Sequence, residues 1–277
     1  MCRHLGYIGP PHAVGELLVR GPHSLVVQSF TPLEMRGGGT INADGFGVAW
    51  WRNADVGIGH ERAAVTAYRN PAPIWTDPAV EEVLPQLESR SVVAAVRSAT
   101  VGMPLSREAC APFTDDHWAF SHNGVVPDWR VHLPAAQASL DDQFAVYGQS
   151  AMLFDLTTLT DSAALWWLLR GLLAAITPDG PITSPAQALA VLTDAVIQVA
   201  PSSRLNLLLG NGSELWATTC YHSLSVLVAD DYTVIASEPF DADPRWQAVP
   251  DRHLVVATPG AATITSLDSS VTERVVS

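Results

Sequence analysis

Residues 204–237 read RLNLLLGNGSELWATTCYHSLSVLVADDYTVIAS. Four apolar or alternating runs, RLNLLLG (204–210), ELWATT (214–219), SLSVLVA (223–229) and YTVIAS (232–237), are divided by GNGS, by Asp230 and Asp231, and by little else. Alternation over such lengths predicts strands. The gaps are too short for a crossover helix, so neighbouring strands are expected to pair antiparallel.

The same signal recurs on both sides of this stretch, in GFGVAWW (45–51), SVVAAVR (91–97), HWAFS (117–121) and, beyond EPFDADP, HLVVAT (253–258). Three segments read as helices instead. WTDPAVEEVLPQLES (75–89) is acidic in its first half, and DSAALWWLLRGLLAAIT (161–177) is apolar nearly all round, hence buried on more than one side. SPAQALAVLTDAVIQVA (184–200) opens on Ser184, Pro185 and Gln187, a capping box with proline at the first helical position. Strands, two adjacent helices and more strands imply an α+β layered fold.

With 277 residues, 48% of them hydrophobic, the chain can bury a large core and is expected to form one domain over 1–277. The least patterned span, 127–160, is a candidate surface insertion, and SLDSSVTERVVS (266–277) a peripheral strand or frayed end. A formal charge of −13 opposes binding to nucleic acid or anionic lipid. The most apolar run, ALWWLLRGLLAAI, is interrupted by Arg170 and is shorter than the ~20 residues of a membrane span, so no membrane association is expected. Cys2, Cys110 and Cys220 are an odd number at distant spacings, which suits a reducing cytoplasm rather than a disulfide framework. No apolar leader follows Met1, and none of the nine histidines shows the His-x-x-x-His spacing of a metal site.

Five features could carry chemistry, and each has a plain structural reading as well. Removal of Met1 would place a free α-amine on Cys2; with the amine titrating near ~7.7–8.0 and a thiol near ~8.5, the amine could serve its own nucleophile as base. A free buried cysteine is the alternative. The glycines of GGGTINADGFGVAWW (37–51) suit either a turn entering a core strand or a close backbone approach, and no phosphate loop follows from them. Arg97, at the mouth of a continuous apolar strand, is suited to bidentate capture of a carboxylate or to a structural ion pair. Asn123 and Gly124 form the Asn-Gly pair of a hairpin turn; the same amide and N–H could face a developing oxyanion. Asp161 opens an apolar helix as a cap or binds a ligand ammonium.

Taken in order, MCRHLG, NADGFGVAW, VRSAT, SHNGVV and TDSAAL resemble the class II glutamine amidotransferases. That resemblance implies an N-terminal-nucleophile hydrolase fold, a four-layer αββα sandwich of two mainly antiparallel sheets. With LVVQSF, APFTDDHWAF, ASEPFD and PDRHLV added, the chain to about residue 260 is similar to the stand-alone amidohydrolases of ergothioneine biosynthesis. The resemblance implies Cys2 as nucleophile with its α-amine as base, and Asn123 with the Gly124 N–H as oxyanion site. It also implies Arg97 on the α-carboxylate of a γ-glutamyl substrate, Thr100 among the substrate-binding residues, and Asp161 on the α-ammonium. The implied reaction passes through a γ-glutamyl thioester that water cleaves, with no cofactor and no metal, on a small-molecule substrate. The oligomeric state stays open.

The chain departs from glucosamine-synthase-type relatives at three places. It has Arg97-Ser98-Ala99-Thr100-Val101 for their Arg-Trp-Ala-Thr-His, Ala111-Pro112 for their His-Pro, and Ala163 for the Glu of their Asp-Ser-Glu run. These changes suit a larger leaving group than ammonia. Two other readings stand beside the hydrolase: a glutaminase subunit feeding ammonia to a separate synthase, and a non-catalytic γ-glutamyl-binding protein.

Overall fold

Residues 204–237 form four strands as expected, but the strands serve two different sheets. In the computed structural model, which describes residues 2–36, 41–52, 64–148 and 155–268, β7 (Arg204–Gly210) and β8 (Leu215–Thr218) make one antiparallel hairpin, and β9 (Ser225–Val228) and β10 (Thr233–Ala236) make another. The remaining strands are β1 (Arg3–Ala13), β2 (Phe46–Trp51), β3 (Val65–Asn70), β4 (Glu88–Val96), β5 (Phe113–Thr114), β6 (Ala119–Val125), β11 (Trp246–Ala248), β12 (His253–Thr258) and β13 (Ala261–Ser266). The first sheet runs β11-β9-β10-β1-β4-β2-β3 and the second β13-β12-β8-β7-β6-β5, every pairing antiparallel.

The chain changes sheets between Thr218 and Ser225, and one side chain holds the crossing. Asn206, fully buried on β7, accepts from the Cys220 and His222 backbone N–H groups at 3.0 and 3.1 Å. Its amide donates to the His222 and Ser223 carbonyls at 3.0 and 3.2 Å. All four hydrogen-bonding positions of the amide are used.

Period-two alternation divides the core into three. Ile8, Trp51, Val93, Leu208, Val226 and Ile235 meet between the sheets. On the outer face of the first sheet, Leu5, Phe46 and Val92 pack with α1 (Val14–Val19) and α2 (Leu25–Phe30). On the outer face of the second, Phe120, Leu207 and Trp216 pack beneath three longer helices: α4 (Trp129–Phe144), α5 (Asp161–Ala174) and α6 (Pro185–Val199). The result is helix, sheet, sheet, helix. Among the described residues no helix is long and apolar enough to cross a membrane.

Three expectations need correction. The acidic segment 75–89 is not one helix: α3 (Ala79–Glu82) is a single turn with 3-10 turns at Ile74–Thr76 and Leu84–Gln86, and Glu88 and Ser89 already belong to β4. Pro78 and Pro85 remove the donors a longer helix would need. Within 127–160, where a surface insertion was expected, α4 buries Leu133, Ala136 and Leu140 completely and is part of the outer helix layer. Asn123 and Gly124 make no turn, because both lie inside β6, opposite Asn206 and Leu205. A Cβ on Gly124 would run into the Arg204 carbonyl and the His122 ring, so the glycine serves close approach of two backbones. Of the C-terminal stretch, Ser266 closes β13, and the part from 269 onward lies outside the described residues, as do Gly37, Gly38 and Gly39.

Candidate active site

The site forms where β1 and β4 end. Arg3 pairs with Val96, so the residue before β1, Cys2, lies beside the residue after β4, Arg97. Along β1, Leu5 and Tyr7 face the helices while Ile8 faces the second sheet, and continuing that alternation puts Cys2 and His4 on the inter-sheet side. Cys2 is partly exposed, and its Sγ lies 4.0 Å from the Ser98 carbonyl.

Asn123 reaches the same place from the second sheet. Its amide donates to Ser237 Oγ at 3.4 Å, and that hydroxyl accepts the His4 backbone N–H at 3.0 Å, while Ser237 N donates to the His4 carbonyl at 2.9 Å. Ser237 thus links β1 to β6 across the gap between the sheets. Asn123 Oδ1 is buried without a partner among the described residues. Strand β5 pairs only with Ala119 and Phe120, so beyond them that edge of β6, including Gly124, has no strand neighbour among the described residues.

Arg97 is held by its own loop. Its NH1 donates to the Pro104 carbonyl at 2.9 Å and the Asp44 carbonyl at 3.4 Å. Nε and NH2 have no protein partner among the described residues, so one edge of the planar fork is uncommitted. Asp44, from NADGFGVAW, fixes the loop from the other side: its carboxylate accepts the Ala99 N–H at 2.7 Å and its backbone N–H donates to the Arg97 carbonyl at 2.9 Å. Just beyond it, Gly45 turns the chain with φ of 114°, tight against Cys110. Thr100 is exposed in a turn whose carbonyl accepts the Met103 N–H, and its hydroxyl makes no hydrogen bond among the described residues.

Asp161 is buried but does not cap α5. Thr160 does that, its hydroxyl accepting the Ala163 N–H at 3.1 Å. The Asp161 carboxylate instead accepts the Val126 N–H at 3.0 Å and the Ser162 N–H at 2.8 Å, which ties α5 to the end of β6 three residues past Asn123. His122 makes a second tie, between Ser162 Oγ at 3.0 Å and the Arg204 carbonyl at 2.9 Å.

Of the three free thiols, Cys110 and Cys220 are buried and Cys2 is partly exposed. Burial pushes Cys110 up to about 11 and raises Cys220 as well, so both stay protonated at neutral pH. His4, two residues from Cys2, is fully buried with neither ring nitrogen bonded among the described residues, and burial, reinforced by His122 and Arg3, pushes it down to about 3. It is therefore neutral at physiological pH. Ser237, Asp44 and Asn206 were not foreseen as site residues; the first and second do lie in the quoted runs ASEPFD and NADGFGVAW.

A cavity of about 200 Å³ runs along α5 between Ala163, Trp166, Arg69, Glu108 and Asp155. A larger one of about 820 Å³ opens near Asp115, Trp118 and Glu214, past the other end of β6 from Asn123, and none of Cys2, Arg97, Asn123 or Asp161 lines it. The larger cavity thus lies away from the candidate site. Among the described residues no cluster of His, Cys, Asp or Glu could hold a metal ion.

The layered fold and this arrangement define a class, and the chain belongs to the class II glutamine amidotransferases: the family's sequence profile, "Glutamine amidotransferases class-II", matches residues 19–230. Within it, the chain is 41% identical over 271 residues to the gamma-glutamyl-hercynylcysteine sulfoxide hydrolase of Mycobacterium tuberculosis, 97% of each chain being covered. The protein of the same name from Mycolicibacterium smegmatis is 37% identical over 267 residues, covering 96% of this chain and 100% of that one. A solved glutamine aminotransferase class-II domain protein from Silicibacter pomeroyi superposes with a TM-score of 0.57 at 21% identity, over 96% of this chain and 99% of that one. It shares the fold.

Proposed function

We propose that the protein hydrolyses the γ-glutamyl amide of γ-glutamyl-hercynylcysteine sulfoxide, releasing glutamate and hercynylcysteine sulfoxide in ergothioneine biosynthesis. The observation that supports the reading is the place of Cys2 next to Arg97 at the ends of β1 and β4, in a chain similar over 97% of its length to a hydrolase of that name. In this reading Arg97 takes the α-carboxylate of the glutamyl group and Asp161 its α-ammonium, with Thr100 at the rim.

Removal of Met1 frees the Cys2 amine, which accepts the thiol proton directly or through a water. The thiolate attacks the γ-carbonyl, and the oxyanion is held by the Asn123 amide and the Gly124 N–H. Collapse expels the amine of hercynylcysteine sulfoxide, which leaves with a proton, and a thioester remains. Water then adds to the thioester, glutamate departs and the thiol is restored. No cofactor is drawn on. The setting is cytoplasmic, in keeping with three unpaired thiols, and neither nucleic acid nor membrane takes part.

The test is glutamate release by Met1-trimmed protein from the sulfoxide and from L-glutamine in parallel, with Cys2→Ala as control. A strong preference for the sulfoxide, lost in the control, is the expected result. Equal or better cleavage of glutamine would overturn the substrate assignment in favour of an ammonia-supplying glutaminase.

A further inference from the structure

Behind Cys2 lies a buried ionic cluster that the scheme above leaves unused. Arg3 and Glu238 are each 1% exposed, and Nε and NH2 of Arg3 both stand 2.7 Å from Glu238 Oε1. The second carboxylate oxygen takes His23 Nε2 at 2.6 Å and the Leu33 N–H at 2.8 Å. From the far side of the guanidinium, NH1 donates to the Cys2 carbonyl at 3.0 Å and NH2 to the Glu34 carbonyl at 3.2 Å.

Such a pair is a weak source of stability, because desolvating two charges offsets most of their attraction and an apolar pair of equal volume does as well. Its value here is geometric. Ladder pairing of β1 begins at Arg3, so Cys2 lies outside it, and among the described residues the Cys2 side chain makes one long hydrogen-bond contact, to the Ser98 carbonyl. The carbonyl of Cys2 is held by Arg3, and Arg3 is held by Glu238. Burial alone would raise the Glu238 carboxyl, but the His23 hydrogen bond and the Arg3 charge outweigh it and keep the group below its usual range.

The geometry points to Glu238 as a positioning residue for Cys2: acting through Arg3, it fixes the Cys2 carbonyl and so the rotation that aims the amine and the thiol into the gap between the sheets. This rests on the reading of Cys2 as nucleophile. Arg3→Lys separates the role from mere charge pairing, since an ammonium can stay on Glu238 but has no second arm for the Cys2 carbonyl.

The experiment compares wild type, Glu238→Gln, Arg3→Lys and His23→Gln, all Met1-trimmed, for kcat and KM on the sulfoxide substrate and for the rate of Cys2 alkylation by iodoacetamide, mapped by mass spectrometry. Glu238→Gln and Arg3→Lys are expected to lower kcat by about tenfold or more with KM within about twofold, and to slow alkylation in parallel. His23→Gln, which removes one of Glu238's contacts from a side chain already 14% exposed, is expected to fall between and serves if the other two fail to fold. Folded variants with kcat and alkylation within about twofold of wild type would overturn the proposal. If wild type cleaves neither γ-glutamyl substrate, the proposed function fails, while the alkylation rates still decide the positioning role.

Discussion

A single amide, that of Asn206, satisfies four backbone groups where the chain passes from one sheet to the other. Replacing it with leucine of similar size strands all four in a buried place, at about 1–3 kcal/mol for each group left unpaired. Asn206→Leu is therefore expected to lose at least about 3 kcal/mol of stability in urea melts, even though it touches no reacting atom. Arg97→Lys should act in the opposite manner, leaving stability nearly unchanged and raising KM by about tenfold or more, because an ammonium cannot match a carboxylate at two points. His4 and His222 are expected to weaken the fold in acid. Burial is the main cause that pushes each down to about 3, so they are neutral when folded and take up protons only on unfolding once the pH drops below the ordinary value of 6.5. The unfolded chain then binds more protons than the folded one, and stability falls with pH between 6.5 and about 3. Melts at stepped pH should show the decline beginning near 6.5; an onset only near 4.5 would assign it to carboxylates instead, and a His222→Gln variant should reduce the slope.

At the level of elements, what the sequence conceals is as instructive as what it shows. Strands bounded by polar turns, such as β7 to β10, were legible because alternation and punctuation agree. Strand β1 was not: Gly6, Gly9, Pro10 and Pro11 break its pattern, although it lies between β10 and β4 and follows directly on Cys2, the proposed nucleophile. Helix α4 was hidden by Pro134 and by a polar outer face, yet Leu133, Ala136 and Leu140 recur at helical spacing and are fully buried. Leu133→Ala should cost about 2–5 kcal/mol, a value no surface insertion would give. Asn-Gly misled for a different reason: its local preference for a turn is overridden by β7, whose backbone comes close enough that only glycine fits. Gly124→Ala is accordingly expected to lower both the melting temperature and glutamate release, through displacement of Asn123. The candidate site was proposed only from an ordered series, since Cys2, Arg97, Asn123 and Asp161 each had a structural alternative. Ser237 and Asp44, which join those residues across distant parts of the chain, lie in runs that carried the resemblance, but nothing in either run marks its residue's own role.

The whole molecule is bound together by the way its sheets exchange strands. Neither sheet draws on one contiguous part of the chain: the first takes β1 to β4 and then β9 to β11, the second β5 to β8 and then β12 and β13. With a shared apolar layer between them, the sheets are expected to unfold together, giving one calorimetric transition over the proposed single domain; two resolved transitions would show otherwise. Such long-range pairing also predicts slow folding.

The place of β1 between β4 and β10 has a further result for the life of the chain. Cys2, the residue proposed to do chemistry, is made long before its setting: β1 acquires its second neighbour, and Ser237 and Glu238 their hold on it, only when residues 233–238 have been synthesised. A nascent chain shorter than that has the thiol without its setting. On that reading catalytic competence arrives late in translation, and a product truncated before residue 233 carries the Cys2 thiol with neither Ser237 nor Glu238 to aim it.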